Sequence, residues 1–423
     1  MSAPRLATRQ GLPLGKGEWY RNRMNAHIPD YFYPRAVALG LLFLCSFLVV
    51  AAPGDLVEYK LERSMSVAEI NSFISQLYAG YTAPKARYAV DIYAVKFEST
   101  YADDSPAVAY AQVFIPRFGN EVAEIRALYV FGPGSTGILD ACRPSREHVV
   151  GTRWGLYRQH VLSHSGQGML AVIPDYLGFG DANCHQQYLL ADAEAAVMLD
   201  AIRAVKKVAA ETAAAGISDT RNFVAGFSQG GHAAYAAADQ RASYAPEISL
   251  AGVIGYGPST NLFVLFKEYP SVVPMALYTL RNHYGAASFD PDQILAAEYA
   301  ATLDTDVTRQ CVGGMQAYYP GDPRKLYNKE FADALLANRL PEKYPGIYTV
   351  LRSNTTGLTK HGVPSLILQG TDDIVVSMEA QRNFVQKLEF NENEVELVIY
   401  DARHDTRQIS FSKVQEWMRS KLN

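Results

Sequence analysis

At residues 222–231 an apolar run, Asn222-Phe223-Val224-Ala225, passes without a polar break into Gly226-Phe227-Ser228-Gln229-Gly230-Gly231, and small residues suited to a helix follow. A strand that turns at once into a helix strains the corner residue, and flanking glycines relieve the crowding. In that setting G-x-S-x-G presents a serine hydroxyl at the carboxyl edge of a sheet, beside a helix N-terminus. The bare pattern arises by chance in many long chains, but seldom between a strand and a helix. The chain is thereby constrained to a strand–turn–helix unit, and Ser228 is its candidate nucleophile.

The remaining sequence agrees with such a sheet. Short apolar runs alternate with helical patterns, the mark of an α/β fold. Strands are expected at Tyr88–Val95, Val108–Ile115, Ala127–Phe131, Met169–Ile173, Asn222–Ala225, Gly252–Gly255, Ser365–Leu368 and Val395–Tyr400. The polar stretch Ser99–Ser105 predicts an antiparallel hairpin between the first two. The later runs are continuously apolar, as strands covered on both faces are. Leu190–Ala215 predicts a helix with Met198, Ile202, Val205 and Ala209 on its buried stripe.

Between Pro258 and Gly362 no run reads as a strand. Amphipathic helices are expected at Asp290–Leu303 and Asn328–Leu340, and aromatic residues such as Phe263, Phe266, Tyr269, Tyr278, Tyr318 and Tyr319 are dense. A structureless insert of that length is uncommon in a compact domain, so the segment predicts a helical cap. The expected organisation is a leader or membrane segment at 1–54, core at 55–257, cap at 258–362 and the rest of the core at 363–423.

Arg5, Arg9, Lys16, Arg21, Arg23 and Arg35 precede Ala36–Ala52, which runs 17 residues without a charge. That is short for a membrane span and suits the apolar region of a signal peptide. Small residues at Ala51, Ala52 and Gly54 allow cleavage. A secreted or periplasmic protein is expected, membrane-anchored if the segment stays uncleaved. Lys plus Arg number 39 against 43 Asp plus Glu, a net charge of -4, which lacks the basic excess of a nucleic-acid binder. Four cysteines are too few for a small disulfide scaffold or a thiolate-rich metal protein.

A serine needs a histidine to take its proton and a carboxylate to orient that histidine. In this kind of sheet the chain order is Ser, acid, His. Downstream, Pro364–Val376 is a buried strand ending in Gly370-Thr371-Asp372-Asp373, and Val395–Tyr400 leads into Asp401-Ala402-Arg403-His404. His404 is the only histidine beyond His361 and is the candidate base. Asp373 fits the G-x-x-D spacing as the acid, with Asp372 the alternative. A final amphipathic helix carries Val414, Trp417, Met418 and Leu422.

An oxyanion hole needs two backbone N–H groups, one from Gln229 and one from the loop after the third strand, Gly132-Pro133-Gly134-Ser135-Thr136-Gly137. The same loop matches G-x-G-x-x-G. Pro133 inside it, and the lack of a helix directly after it, argue against a dinucleotide site. No cofactor or metal is expected.

Three motifs in order, GSTGILDACRPS, IPDYLGFG at Ile173–Gly180 and GFSQGG, resemble the secretory lipase family, the Candida lipase A-like α/β-hydrolases. The likeness runs from about Gly132 to the C-terminus. It implies an α/β-hydrolase fold, a mostly parallel central sheet with a helical cap inserted before the acid-bearing strand. It also implies hydrolysis of acyl esters, glycerides included, by Ser228, Asp373 and His404. Gln229 and a residue at Gly137, with Thr136 beside it, would form the oxyanion hole. The chain departs from the family in Gln229, where glycine is common, and in Arg143, where alanine is common. The partner implied is a small-molecule or lipid ester, with transient contact at a lipid interface and no nucleic acid.

The resemblance further implies a disulfide from Cys142 to the cap at Cys311. After leader removal three cysteines remain, so Cys142–Cys184 and the absence of any bridge stay open beside it. The triad does not choose a leaving group, so a peptidase or acyltransferase stays open too, and a non-catalytic binding protein less so. His160 and His164, four apart, suit a metal less well than partly exposed positions on a helix, and His232 reads as a packed or hydrogen-bonded residue rather than a second base. Asp175, Tyr176 and Asp181 are expected to organise the loop after the fourth strand. Asn354-Thr355-Thr356 is a glycosylation sequon.

Overall fold

Nine strands run through the residues that the computed structural model describes, 51–119, 127–212 and 221–422. They are β1 (Leu56–Met65), β2 (Ala89–Thr100), β3 (Pro106–Arg117), β4 (Ala127–Gly132), β5 (Leu170–Pro174), β6 (Arg221–Phe227), β7 (Leu250–Tyr256), β8 (Ser365–Gly370) and β9 (Val395–Tyr400). One sheet orders them β1-β2-β3-β5-β4-β6-β7-β8-β9. The pairings from β1 to β5 along that order are antiparallel, and the rest are parallel. The basic leader and most of the Ala36–Ala52 run lie outside the described residues. Among those described, no helix is long and apolar enough to cross a membrane. Gly54, one of the small residues of the expected cleavage region, donates its N–H to the carbonyl of Glu98 at 2.7 Å.

The hairpin of β2 and β3 is present, and every other expected strand lies within an observed one or differs from it by one residue. β1 was not expected. It is an edge strand carrying Glu58, Lys60, Glu62 and Arg63, exposed along most of its length, so it shows no apolar alternation. Charged edges of this kind discourage pairing with other chains.

Helices cover both faces of the sheet. On one face, helix Ala191–Glu211 buries Met198, Ile202, Val205 and Ala209 beside helix Gln229–Tyr244. On the other, the final helix Phe411–Ser420 buries Val414, Trp417 and Met418 against Phe223 and Leu366. Each large side chain so enclosed contributes roughly 1.5–3 kcal/mol.

Residues between β7 and β8 form helices joined by loops, with one isolated bridge, Leu295 to Tyr327. The helix expected over Asp290–Leu303 breaks into a short turn at Pro291–Gln293 and helices at Ala297–Ala300 and Leu303–Val307. Its middle is drawn away, because Ala296 donates its N–H to Leu326 at 2.9 Å across the bridge. The second expected helix forms as Lys329–Leu336, capped where Asn328 accepts from Phe331 N–H at 2.9 Å. It stops before Leu340 because the chain turns at Asn338, φ 56°. Leu262, Phe266, Leu277 and Phe331 of this insert share one apolar cluster with Met198, Val224 and Ala234 of the sheet layer.

Candidate active site

The loops leaving β4, β6, β8 and β9 open at one sheet edge. At the end of β6, Ser228 takes φ 54° and ψ -113°, a strained conformation forced by the step from strand to helix. The helix begins so close to the sheet that a Cβ at Gly230 would lie 1.8 Å from the carbonyl oxygen of Gly132. One at Gly226 would lie 1.9 Å from that of Gly230. Only glycine admits such backbone contact.

β8 delivers Asp373, which is 8% exposed, whereas Asp372 points to solvent. Asp373 Oδ1 accepts from the N–H groups of Val375 at 2.8 Å and Val376 at 2.9 Å. Its Oδ2 accepts from Gln369 Nε2 at 3.0 Å and sits 2.8 Å from His404 Nδ1. Burial works against the charge of Asp373, yet its bonds to His404, Val376 and Val375 outweigh that and hold the carboxyl below its ordinary range. β9 delivers His404 on a loop pressed against β8, since a Cβ at Gly370 would lie 2.1 Å from the carbonyl oxygen of Arg403. The imidazole packs on Phe227 with centroids 4.9 Å apart. Its Nε2 is buried and has no hydrogen-bond partner among the described residues.

Ser228 and His404 line one cavity of about 320 Å³. Leu265, Val272, Val312, Ile374 and Val375 supply apolar walls, and Trp154, Tyr157, Tyr188 and Tyr269 supply aromatic ones. Ser228 Oγ stands 3.4 Å from Ser259 Oγ in that cavity. A serine hydroxyl, an imidazole held by a carboxylate and a largely apolar pocket beside them can carry out acyl transfer.

Gln229 is the first residue of its helix, so its N–H has no intrahelical acceptor. Thr136 and Gly137, expected opposite it, do not line the cavity; Ser135 does. The loop turns away after Ser135 because the chain is drawn toward residue 311. Thr136 accepts from Val312 N–H at 2.8 Å, and a Cβ at Gly137 would lie 2.7 Å from Cys142 Sγ. Cys142 and Cys311 are joined in a disulfide, with Cα atoms 5.6 Å apart, and Cys184 is free. The bond closes 169 residues, and on the chain-entropy view such a loop stabilises by up to roughly 5 kcal/mol. Verified reduction, or Cys142→Ser, should therefore lower the unfolding midpoint in thermal scans by several degrees; an unchanged Tm would contradict this.

A buried network behind the serine escaped the sequence reading. Glu194 Oε1 accepts from Gln229 Nε2 at 2.8 Å, and its Oε2 lies 2.5 Å from His232 Nδ1. His232 Nε2 lies 2.7 Å from the carbonyl of Asn354. This ties Gln229, and so its backbone N–H, to the neighbouring helix. The available signal was a lone glutamate among the alanines of 191–196. Gln369, inside the apolar run of β8, was a similar one.

The other residues of interest have structural settings. His160 and His164, expected partly exposed, are instead fully buried because their helix packs between the sheet and the final helix, and burial holds both imidazoles neutral, His164 drawn down to about 3. His160 Nε2 bonds Tyr129 Oη at 2.9 Å, and His164 Nδ1 bonds Gln415 Nε2 at 2.9 Å. Arg143 does not line the cavity; it lies over the Tyr110 ring, 3.6 Å from Asp175. Burial pushes Asp175 up to about 7 despite Arg143. Tyr176 donates to the Pro133 carbonyl at 2.6 Å, bracing the loop that carries Ser135, and Asp181 accepts from Tyr101 at 2.8 Å. Asn354 is buried and accepts from Ala191 N–H at 3.0 Å, so the folded chain does not offer its sequon for glycosylation.

No curated protein matches the chain significantly. Among solved structures it is similar to the rice cell wall degrading esterase LipA from Xanthomonas oryzae, with TM-score 0.71 at 17% identity, covering 88% of this chain and 100% of that one. It is likewise similar to lipase A of Candida antarctica, with TM-score 0.64 at 18% identity, covering 88% and 82%. These likenesses give the fold, an α/β-hydrolase. The secretory lipase profile matches residues 157–397, more than half of the 423. The match spans the serine elbow and the Asp373 loop, and on that ground the chain belongs to the secretory lipase family and is a carboxylic ester hydrolase.

Proposed function

We propose that the chain hydrolyses apolar carboxylic esters through an acyl-enzyme on Ser228. The observation that carries this is the state of His404: Nδ1 is held by Asp373, while Nε2 is unpartnered beside the cavity of Ser228. In this reading His404 Nε2 takes the Ser228 proton as Oγ attacks the ester carbonyl, and Asp373 stabilises the imidazolium. The N–H groups of Gln229 and Ser135 receive the developing oxyanion. His404 returns the proton to the leaving alcohol, and water repeats the sequence to release the acid.

Apolar walls support an acyl site rather than a peptide site. Residues 258–362 act as its cap, supported by Leu265, Tyr269, Val272, Val312 and Gln316 on the cavity wall. Ile374, 75% exposed at the cavity, suits contact with a lipid surface. The basic leader with its apolar run, and a family described as secretory, support export with that segment as the signal.

A panel of p-nitrophenyl esters, triglyceride emulsions and aminoacyl anilides tests the reading. Each methylene buried contributes up to roughly 0.8 kcal/mol, about fourfold, so kcat/KM should climb from acetate to medium-chain esters. An enzyme restricted to acetate, or one preferring the anilides, would overturn the lipase reading.

A further inference from the structure

We propose that the water that deacylates the enzyme reaches Ser228 by its own narrow passage, from a surface cavity past Gln381 and Ser259, apart from the mouth that admits the ester. The proposal rests on the acyl-enzyme reading above. Of three neighbouring cavities, the smallest shares lining residues with each of the other two. Ser259 and Leu265 line both the Ser228 cavity and a small one of about 10 Å³. Thr260, Asn261, Val264, Ala380 and Phe384 line both that small cavity and a surface cavity of about 330 Å³.

Size and polarity select the traveller. About 10 Å³ is roughly the room that one water needs, and an acyl chain does not fit. Gln381 lines this neck, is 1% exposed, and neither polar atom of its side-chain amide has a partner among the described residues. A buried amide left so is costly, and a passing water can satisfy it at both ends. The hydroxyl of Ser259 is the next polar group inward, 3.4 Å from Ser228 Oγ. Outward, Thr355, Asn383, Gln386 and Lys387 supply polar lining to the surface cavity.

The chemistry is ordinary deacylation. The water oxygen bonds to the acyl carbon while its proton passes to His404 Nε2. The Ser228 Oγ–acyl bond then breaks as that proton moves to Oγ, and the carboxylic acid leaves. The passage matters when the mouth, with Ile374 on it, rests on lipid and is filled by substrate.

The test is the partition of the acyl group between water and hexanol, which is too large for the neck. On tributyrin droplets containing hexanol, Ala380→Phe, which plugs the neck, and Gln381→Leu, which removes its polar group, should lower the ratio of butyric acid to hexyl butyrate by about tenfold. On dissolved p-nitrophenyl butyrate the ratio should stay at the parent value. If Ala380→Phe does not fold, Gln381→Leu carries the test. An unchanged ratio on droplets overturns the passage, and so does an equal fall on dissolved ester, which would mark damage to the site itself. In the parent enzyme, p-nitrophenyl and phenyl butyrate must give the same ratio, since both pass through one acyl-enzyme; different ratios overturn that reading, and the passage with it.

Discussion

Replacing Ser228 by alanine is expected to abolish ester hydrolysis, with turnover falling by about 10⁴–10⁶, while the protein stays folded. The substitution removes one oxygen whose neighbour, Ser259 Oγ, is 3.4 Å away, and leaves the φ of 54° with its enforcing glycine contacts in place. Little stability rests on that oxygen, so the thermal midpoint should stay near the parent's. Fluorophosphonate labelling of the parent should likewise be lost in the variant. A folded, purified Ser228→Ala protein with near-parental activity would sink the proposed mechanism, since no other hydroxyl occupies the elbow.

Asp373→Asn is expected to cost about 10⁴ in turnover, as when the aspartate that orients a catalytic histidine is neutralised elsewhere. The hydrogen bonds explain why an amide cannot substitute. Both carboxylate oxygens face donors: Val375 and Val376 N–H at one, Gln369 Nε2 and the His404 ring at the other. Either orientation of an asparagine sets an NH₂ against donors, and facing His404 it favours the wrong tautomer. Asp372→Asn changes an exposed side chain and should stay within about 0.5 kcal/mol in stability, with activity close to the parent's. Kinetics of the two purified variants decide the assignment, and the reverse order would place the acid one residue earlier.

The parts of the fold that local pattern controls were legible in the sequence. The elbow is contained in ten residues, and the strands carrying Asp373 and His404 are apolar runs with unambiguous ends. Strand β1 was not legible, because an edge strand exposed on both sides carries charge where alternation would otherwise show. Thr136 and Gly137, expected to hold the second oxyanion N–H, do not line the cavity, and the course of that loop depends on where the chain is pulled after Ser135. That pull comes from residues 311–312, about 170 positions away. The Glu194–Gln229–His232 network and the partnerless Gln381 are likewise products of packing between distant segments. A lone polar residue in an apolar run hints that such a partner exists without naming it.

Ser228 follows β6, whereas Asp373 and His404, the acid and base of the proposed mechanism, follow β8 and β9 at one edge of the sheet. Synthesis runs from the N-terminus, and β8 can join only β7 and then receive β9. On the proposed mechanism, a nascent chain that has not reached residue 404 holds the serine without the base that would activate it. A polypeptide shortened ahead of residue 404 is then expected to be inert toward esters.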